Sequence, residues 1–434
     1  MLWWIGSDEA NRFHQQSKCK KVMMEDFTRL YEISHLSSTP KQCCATPSRI
    51  LSDMVAAIST FSTIFCMYST SEFQNRSQNI TSSMWVLSIA AYIIYVCVNH
   101  LSAQHVLCVF GIHLQNKKAY GGSGIPPGII LVNLYRTLPL RTASRCWGSV
   151  NSVDVPLFLR KPMYGLYSKL FNVNIDEADN SDLTSYCNLQ AFFTRDLKPN
   201  VREISSKDLT SPCDGRVLYH GKVDNSKVEQ IKGITYSLKS FLGPVSWNSN
   251  LDAVSHEVSD EKYHTSLGIK PGNDLFHVVI YLAPGDYHQF HSPANWTVDH
   301  RRHFPGDLFS VNPGVAKLIK GLFTFNERVV LVGKWKHGLF SMTAVGATNV
   351  GSIELKFDKN LKTNCRGQYR KGDFSDYSYV TEPSISGICL TKGEVCGKFN
   401  LGSTIVLIFE APSNFQFSII PGQTIKLGQK LGNQ

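Results

Sequence analysis

The 434-residue sequence contains no uninterrupted apolar run of the ~20 residues that cross a bilayer as a helix. Its scarcer charge is the negative one. Asp and Glu number 34 against 44 Lys and Arg, a formal net charge of +10. That balance suits an anionic partner, a phospholipid surface or a nucleic acid. No helix-turn-helix, RNP or zinc-finger pattern accompanies the basic residues, so a nucleic acid is not expected. The 12 Cys are scattered and none forms a CxxC pair. This argues against a zinc ribbon or a small disulfide framework and leaves reduced, mostly buried thiols. Gly (31) and Pro (18) do not dominate, and 43% of residues are hydrophobic. A disordered or collagen-like chain is thereby excluded.

What is present divides along the chain. A sequence of this length exceeds what one hydrophobic core usually organises. Residues 1–80 mix Lys and Arg with Asp8, Glu9, Glu25, Asp26 and Glu32, where a transit peptide is poor in acids. Their role stays unassigned, with targeting as one reading. Of two apolar runs, Met54 to Tyr68 is broken by Ser and Thr. Met84 to Val98 is cleaner, with Trp85 placed as an interfacial anchor. Residues 81–116 are therefore expected to form a membrane-anchor region, with a buried or interfacial helix as the alternative. GGSG and IPPG mark 117–128 as a linker. Residues 129–189 are basic and amphipathic, with Leu, Trp, Phe and Tyr between Arg136, Arg141, Arg145, Arg160, Lys161 and Lys169. They read either as membrane-proximal helices or as ordinary surface helices.

From about residue 190 the texture changes to short β-type runs between Gly and Pro turns: RVLYHGKV, LFHVVIYLAP, RVVLVGKW, LFSMTAVGAT, GSIELKF and STIVLIFEAP. GKWKHG reads as a hairpin connection. The expected class is α+β, a β-rich catalytic domain over 190–434 preceded by membrane-associated helices.

Four segments of that domain carry unusual residues. Asp214 in SPCDGRV is, alone, ordinary turn chemistry. His288 and His291 lie three apart after a buried strand, a spacing that invites zinc but lacks a helix and a third ligand. His300, Arg301, Arg302 and His303 cluster charge that could face a phosphate or could be a solvated turn. Gly402-Ser403-Thr404 precedes an apolar strand, with neither the Lys of a Walker loop nor a GxSxG elbow.

Taken together, Leu401-Gly402-Ser403-Thr404, DYHQFHSP (286–293), PGDLFSVNP (305–313) and SPCDGRV (211–217) resemble the phosphatidylserine decarboxylase family in its bacterial and mitochondrial branch. FFTRDLKPNVREI (192–204), FNERVVL (325–331) and VGATNVGSI (345–353) extend the match, which runs from about Ile125 to the C-terminus. The resemblance implies a proenzyme cut between Gly402 and Ser403 into a β chain ending at 402 and an α chain of 403–434, which stay together. Ser403 becomes a pyruvoyl group, the covalent cofactor, and forms a Schiff base with the substrate. By the same match Asp214, His291 and Ser403 form the self-cleavage triad, and His288 is the proton donor. Serine needs a base to become a nucleophile, and glycine admits strained backbone beside it. No metal or diffusible cofactor is implied.

The implied activity converts phosphatidylserine to phosphatidylethanolamine and carbon dioxide. The implied partners are phosphatidylserine and membrane lipids, and related enzymes suggest a homodimer. The implied place is the mitochondrial inner membrane, with the catalytic domain facing the intermembrane space. Two alternatives remain at this point. One is a pyruvoyl decarboxylase of a soluble amino acid. The other is a non-catalytic membrane-tethered β-domain, for which the C-terminal hairpin around Lys426 would have to resemble a carrier more closely than it does.

Overall fold

Residues 403–412, STIVLIFEAP, are apolar at nearly every inner position, the pattern of a strand buried on both faces. In the computed structural model they form the middle of a nine-stranded sheet. The structure describes residues 140–433 except 225, 232, 246–259, 349–351, 368, 371, 381–386 and 401–402. The regions 1–80, 81–116 and 117–128 lie outside the described residues, as does the expected anchor. No helix among the described residues is long and apolar enough to cross a membrane.

The strands, in chain order, are β1 (Leu209–Thr210), β2 (Gly215–Lys222), β3 (Lys227–Ile231), β4 (Ile234–Ser237), β5 (Asn273–Leu282) and β6 (Gln289–His291). There follow β7 (Trp296–Phe304), β8 (Arg328–Trp335), β9 (Gly338–Val345), β10 (Ile353–Leu355), β11 (Ser375–Ser378) and β12 (Ile388–Leu390). The last are β13 (Val395–Phe399), β14 (Ser403–Pro412), β15 (Gln416–Phe417), β16 (Thr424–Ile425) and β17 (Lys430–Asn433). The large sheet runs β11-β7-β8-β9-β14-β5-β2-β16, with β12 also paired to β7. A second sheet runs β10-β13-β6, a third β1-β17-β15, and β3 and β4 form a hairpin. The β-rich α+β expectation holds for the described residues.

Alternation along β14 sorts its side chains. Ile405, Leu407 and Phe409 enter the main core with Phe276, Val278, Ile280, Phe340 and Met342. Each such fully buried side chain contributes roughly 1.5–3 kcal/mol of apolar transfer. β8 and β9 form the hairpin expected from GKWKHG, with Lys336 and His337 at the turn. Gly338 has φ +137°, and a Cβ there would strike the Glu410 carboxylate. That carboxylate accepts from the backbone N–H groups of Lys270 and Leu339 and from the Asn273 amide.

The basic amphipathic stretch folds into helices α1 (Leu140–Asn151) and α2 (Leu157–Phe171), followed by the short α3 (Leu189–Phe193). Most of its rings do not face outward. Trp147, Tyr164 and Tyr167 pack with Tyr186, Phe192 and Phe193 in a second core that straddles the expected 189/190 boundary. Tyr164 stacks on Phe192 with ring centroids 4.8 Å apart. Leu157 and Phe158 remain outward, 65% and 70% exposed.

The six described Cys are all free. Only Cys213 and Cys396 are buried, and Cys146, Cys187, Cys365 and Cys389 are exposed. Among the described residues the expectation of mostly buried thiols is thus corrected. The buried pair sits in the core beside strands, and the other four lie on a helix surface, on connections and on an edge strand.

Candidate active site

Three of the connections between the large sheet and the β10-β13-β6 sheet are β5 to β6, β9 to β10, and β13 to β14. β14 lies between β5 and β9, and β13 lies between β6 and β10, so all three cross from sheet to sheet at one place. Register fixes the spot. Ser403 pairs with Leu282 and Thr404 with Val345, while Lys398 pairs with Gln289 and Phe399 with Ile353. Segments far apart in sequence, DYHQFH, VGAT, Phe399-Asn400 and Ser403-Thr404, are thereby brought together. The Phe399 N–H donates to the His288 carbonyl at 3.0 Å. The Asn400 N–H donates to the Ser352 carbonyl, and its amide donates to Glu354 at 2.7 Å. Leu401 and Gly402 lie outside the described residues.

Ser403 is fully buried, and its Oγ has no hydrogen-bond partner among the described residues. Leaving a buried hydroxyl unpaired costs about 1–3 kcal/mol, so its position asks for a reason. It occupies the side of β14 that faces the main core, as Ile405 and Leu407 do.

His291 is held at both ring nitrogens. Nδ1 lies 2.8 Å from the Gly393 carbonyl, and Nε2 lies 3.0 Å from the Tyr287 hydroxyl. A carbonyl can only accept, so Nδ1 carries the proton and Tyr287 donates to the Nε2 lone pair. Burial pushes the His291 pKa down and favours this neutral form, against the pull of the Gly393 carbonyl and the Asp214 charge. The His291 N–H donates to the Pro212 carbonyl at 2.7 Å, which anchors β6 beside SPCDGRV.

Asp214 is not hydrogen-bonded to His291. Its carboxylate accepts from Arg202 at 3.0 and 2.7 Å, from Lys426 Nζ at 2.9 Å and from the Leu427 N–H at 2.8 Å. Burial alone would raise its pKa, but the Arg202 hydrogen bond and charge outweigh that and hold it below the usual carboxylate value. Asp214 therefore supplies negative charge near the histidines, and the Gly393 carbonyl sets the His291 tautomer. The expected orienting contact is replaced because Arg202 engages both carboxylate oxygens, Lys426 shares Oδ2 and the Leu427 N–H shares Oδ1. Just beyond Asp214, Gly215 packs so close to β5 that a Cβ would lie 2.5 Å from the Tyr281 carbonyl.

His288 is fully buried, with Nδ1 donating to the Asp286 carbonyl at 2.8 Å and Nε2 without a partner among the described residues. Its ring lies 4.0 Å from that of Phe193. Burial lowers its pKa to about 3, so the ring is neutral and the free Nε2 is an acceptor. It becomes a donor only after taking a proton.

HRRH is a different kind of cluster. All four residues lie on β7, and each faces a carboxylate. Arg302 pairs with Asp376 at 2.6 Å, Arg301 with Asp358 at 3.0 Å, His300 with Asp376 at 3.4 Å and His303 with Glu327 at 2.8 Å. These side chains are engaged within the fold, which corrects the reading of a phosphate site. FNERVVL also serves the scaffold. The Asn326 amide donates to the Phe309 and Gly346 carbonyls, both at 2.8 Å, tying PGDLFSVNP to VGAT. Among the described residues no group of three or more His, Cys, Asp or Glu could hold a metal ion.

The sequence reading missed Tyr287, Gly393, Arg202 and Lys426. Tyr287 stood inside the His motif and Arg202 inside FFTRDLKPNVREI, but neither had a partner visible in sequence. Lys426 was weighed only as a carrier lysine.

Comparison with known proteins agrees with the motifs. A family model described as Phosphatidylserine decarboxylase matches residues 189–433. The mitochondrial phosphatidylserine decarboxylase proenzyme of Cricetulus griseus is 53% identical over 316 residues, covering 72% of this chain and 77% of its own. That of Pongo abelii has the same identity and coverage. The mitochondrial phosphatidylserine decarboxylase proenzyme 1 of Saccharomyces cerevisiae is 41% identical over 364 residues, covering 69% of this chain and 73% of its own.

Proposed function

The chain belongs to the phosphatidylserine decarboxylase family, and from that membership we propose that it cuts itself between Gly402 and Ser403 and works through a pyruvoyl group made from Ser403. It is a carboxy-lyase that converts phosphatidylserine into phosphatidylethanolamine and carbon dioxide. The observation that carries the self-cleavage reading is the Ser403 hydroxyl, buried without a partner among the described residues, at the crossing that also holds His288 and His291.

In self-cleavage the Ser403 Oγ attacks the Gly402 carbonyl carbon. The C–O bond forms, the C–N bond breaks, and the hydroxyl proton ends on the freed nitrogen of residue 403. His291 is the base, and Tyr287 already occupies its Nε2. The proton path therefore passes through the Tyr287 hydroxyl, which takes the serine proton as it gives its own to Nε2. Asp214, kept ionised by Arg202 and Lys426, stabilises the imidazolium that forms. Removal of the Ser403 Hα then expels the ester as the carboxylate of Gly402. Water adds to the resulting dehydroalanine after tautomerisation, and ammonia leaves.

The residues present fit the product group: a serine oxygen to lose and a buried imidazole nitrogen committed to no protein atom. Once formed, the pyruvoyl carbonyl supplies an electron sink of the pyridoxal phosphate kind. The remaining work falls to the chain. His288 Nε2 takes a proton from the incoming substrate ammonium and returns it to the α-carbon that has lost carbon dioxide. Burial of His288 keeps water from competing for that proton.

A cut at 402/403 would not release the α chain. β14 is paired along its length to β5 and along most of it to β9, β16 pairs with β2, and β17 with β1. Lys426 adds an ion pair across the cut to Asp214. The exposed Leu157 and Phe158 at the start of α2 support contact with a lipid surface, together with the apolar run at 84–98. Relatives named as mitochondrial support a mitochondrial place for this chain. The inner membrane, a domain facing the intermembrane space, and a homodimer complete the proposal.

Intact-mass measurement tests it. The purified protein should give two chains, the smaller beginning at a blocked residue 403, and should release phosphatidylethanolamine from phosphatidylserine vesicles. Ser403→Ala should remain a single 48.6 kDa species. His288→Ala should be cut but turn over on the order of 100-fold more slowly. Wild-type protein that stays whole sinks the self-cleavage reading.

A further inference from the structure

Four arginines among the described residues are buried: Arg195, Arg301, Arg302 and Arg328. Three of them have a carboxylate or several carbonyls as partners. Arg301 and Arg302 face carboxylates. Arg328 donates to the carbonyls of Ser240, Phe241 and Thr324 and lies 3.8 Å from the centre of the Phe304 ring. Arg195 differs. It is 6% exposed, it has no ion pair among the described residues, and its Nε has no partner. Its one hydrogen bond runs from Nη1 to the Phe192 carbonyl at 3.5 Å, the outer limit of such a bond. A guanidinium keeps its proton even where burial opposes it, so this is a buried charge with no ion pair among the described residues, held near the Phe192 ring at 5.6 Å and only at a distance by the Asp214 and Glu177 charges.

Its place is fixed by its neighbours. On one side Phe193 lies against the His288 ring at 4.0 Å. On both sides the chain is clamped to the residue after His288, since the Gln289 amide donates to the Thr194 carbonyl at 3.1 Å and to the Asp196 carboxylate at 2.7 Å. The Arg195 charge is felt at the site, where it disfavours protonation of His288 after burial has done so. The nearby carboxylates are already engaged. Asp214 serves Arg202, Lys426 and the Leu427 N–H, Glu177 serves Arg202, and Asp286 serves the Ala283 N–H.

We propose that Arg195 is the headgroup-recognition residue of the decarboxylase site and pairs with the phosphodiester of the incoming lipid. This rests on the phosphatidylserine decarboxylase reading and adds a residue to it. The substrate brings two anionic groups, and the chemistry chooses between them. Charge leaves the carboxylate as carbon dioxide departs, so an arginine there would hold the ground state more tightly than the transition state. The phosphodiester keeps its charge throughout and matches the planar fork of a guanidinium. An arginine on it binds both states equally and is felt in KM, not kcat.

The test uses the processed wild-type enzyme with Arg195→Gln and Arg195→Lys. Intact mass first reports self-cleavage in each. Steady-state turnover of phosphatidylserine in mixed micelles then separates KM from kcat. Calorimetry measures binding of glycerophosphoethanolamine, ethanolamine and inorganic phosphate. Wild type should prefer glycerophosphoethanolamine over both others by roughly tenfold or more, the value of a charge-assisted hydrogen bond. Arg195→Gln should be cut normally, raise KM by a similar factor with kcat little changed, and lose the preference; Arg195→Lys should fall between. A processed Arg195→Gln enzyme with wild-type KM and preference overturns the proposal. So does a fall in kcat at unchanged KM, equal binding of inorganic phosphate by wild type, or failure of both variants to be cut. Wild-type enzyme inactive on phosphatidylserine would instead sink the underlying reading.

Discussion

β7 and the crossing at Ser403 carry the same residue types and use them in opposite ways. On β7, His300, Arg301, Arg302 and His303 each face a carboxylate, and the fully buried Arg302 also donates to the Leu242 carbonyl at 2.9 Å. At the crossing, Ser403 Oγ and His288 Nε2 are buried with no partner among the described residues, and Arg195 has a long bond to the Phe192 carbonyl and a 5.6 Å contact with the Phe192 ring but no ion pair among those residues. A polar cluster whose members each face an opposite charge holds a fold together. One left unsatisfied, at a cost in stability, is held ready for something that is not part of the chain. Charge density in the sequence cannot tell the two apart, and HRRH is the denser of the two.

The comparison breaks most visibly on Arg302. Arg302→Met, made in the uncleavable Ser403→Ala background so that processing does not intervene, takes the donor from the Leu242 and Pro244 carbonyls and the guanidinium from the exposed Asp376. Leaving a buried acceptor without its donor costs about 1–3 kcal/mol, and an ion pair to an exposed carboxylate adds up to about 1 kcal/mol. Chemical denaturation should register a loss of that size, and in the cleavable protein little processed chain should accumulate. A stability within about 1 kcal/mol of the parent would mean that β7 is not the satisfied scaffold described here.

Much of this was legible in sequence, and the reasons for the rest are physical. The six β-type runs became strands because alternation and turn residues are local signals. The motifs around Asp214, His288, His291 and Ser403 were legible as a set only through family resemblance. What brings DYHQFH, Phe399-Asn400 and Ser403-Thr404 together is strand order, β14 between β5 and β9 and β13 between β6 and β10, which no local pattern encodes. The partners of Asp214 were hidden for the same reason. Lys426 reaches it across 212 positions, and competition among Arg202, Lys426 and His291 for one carboxylate is settled only by packing. Arg195 was invisible for a further reason: its distinction is the lack of an ion pair among the described residues.

A smaller effect sharpens the comparison inside the site. Tyr287 is satisfied through His291, so it belongs to neither extreme. Tyr287→Phe removes the hydroxyl from the His291 lone pair and leaves the ring in place. Pulse-labelled self-cleavage should slow by roughly tenfold or more, within the range that positioned proton transfer contributes. The pH dependence of cleavage should also change, because the base is no longer reached through a phenol. Cleavage that is unchanged or faster would mean that the phenol only blocks Nε2.

The smallest effect guards against overreading an absent partner. Thr343 on β9 is also fully buried, and its hydroxyl has no partner among the described residues. It pairs with Val406, whereas Met342 pairs with Leu407 and enters the main core. Alternation therefore places Thr343 on the face of the sheet away from Ser403. An alcohol there can be replaced by a methyl group of nearly the same shape, which removes a desolvation cost and no hydrogen bond seen among the described residues. Thr343→Val should leave cleavage and turnover unchanged and raise stability by up to about 1 kcal/mol, read by denaturation in the Ser403→Ala background. A loss of cleavage would extend the site through the sheet. A gain in stability alone would confine function to the unpartnered groups that meet at the crossing.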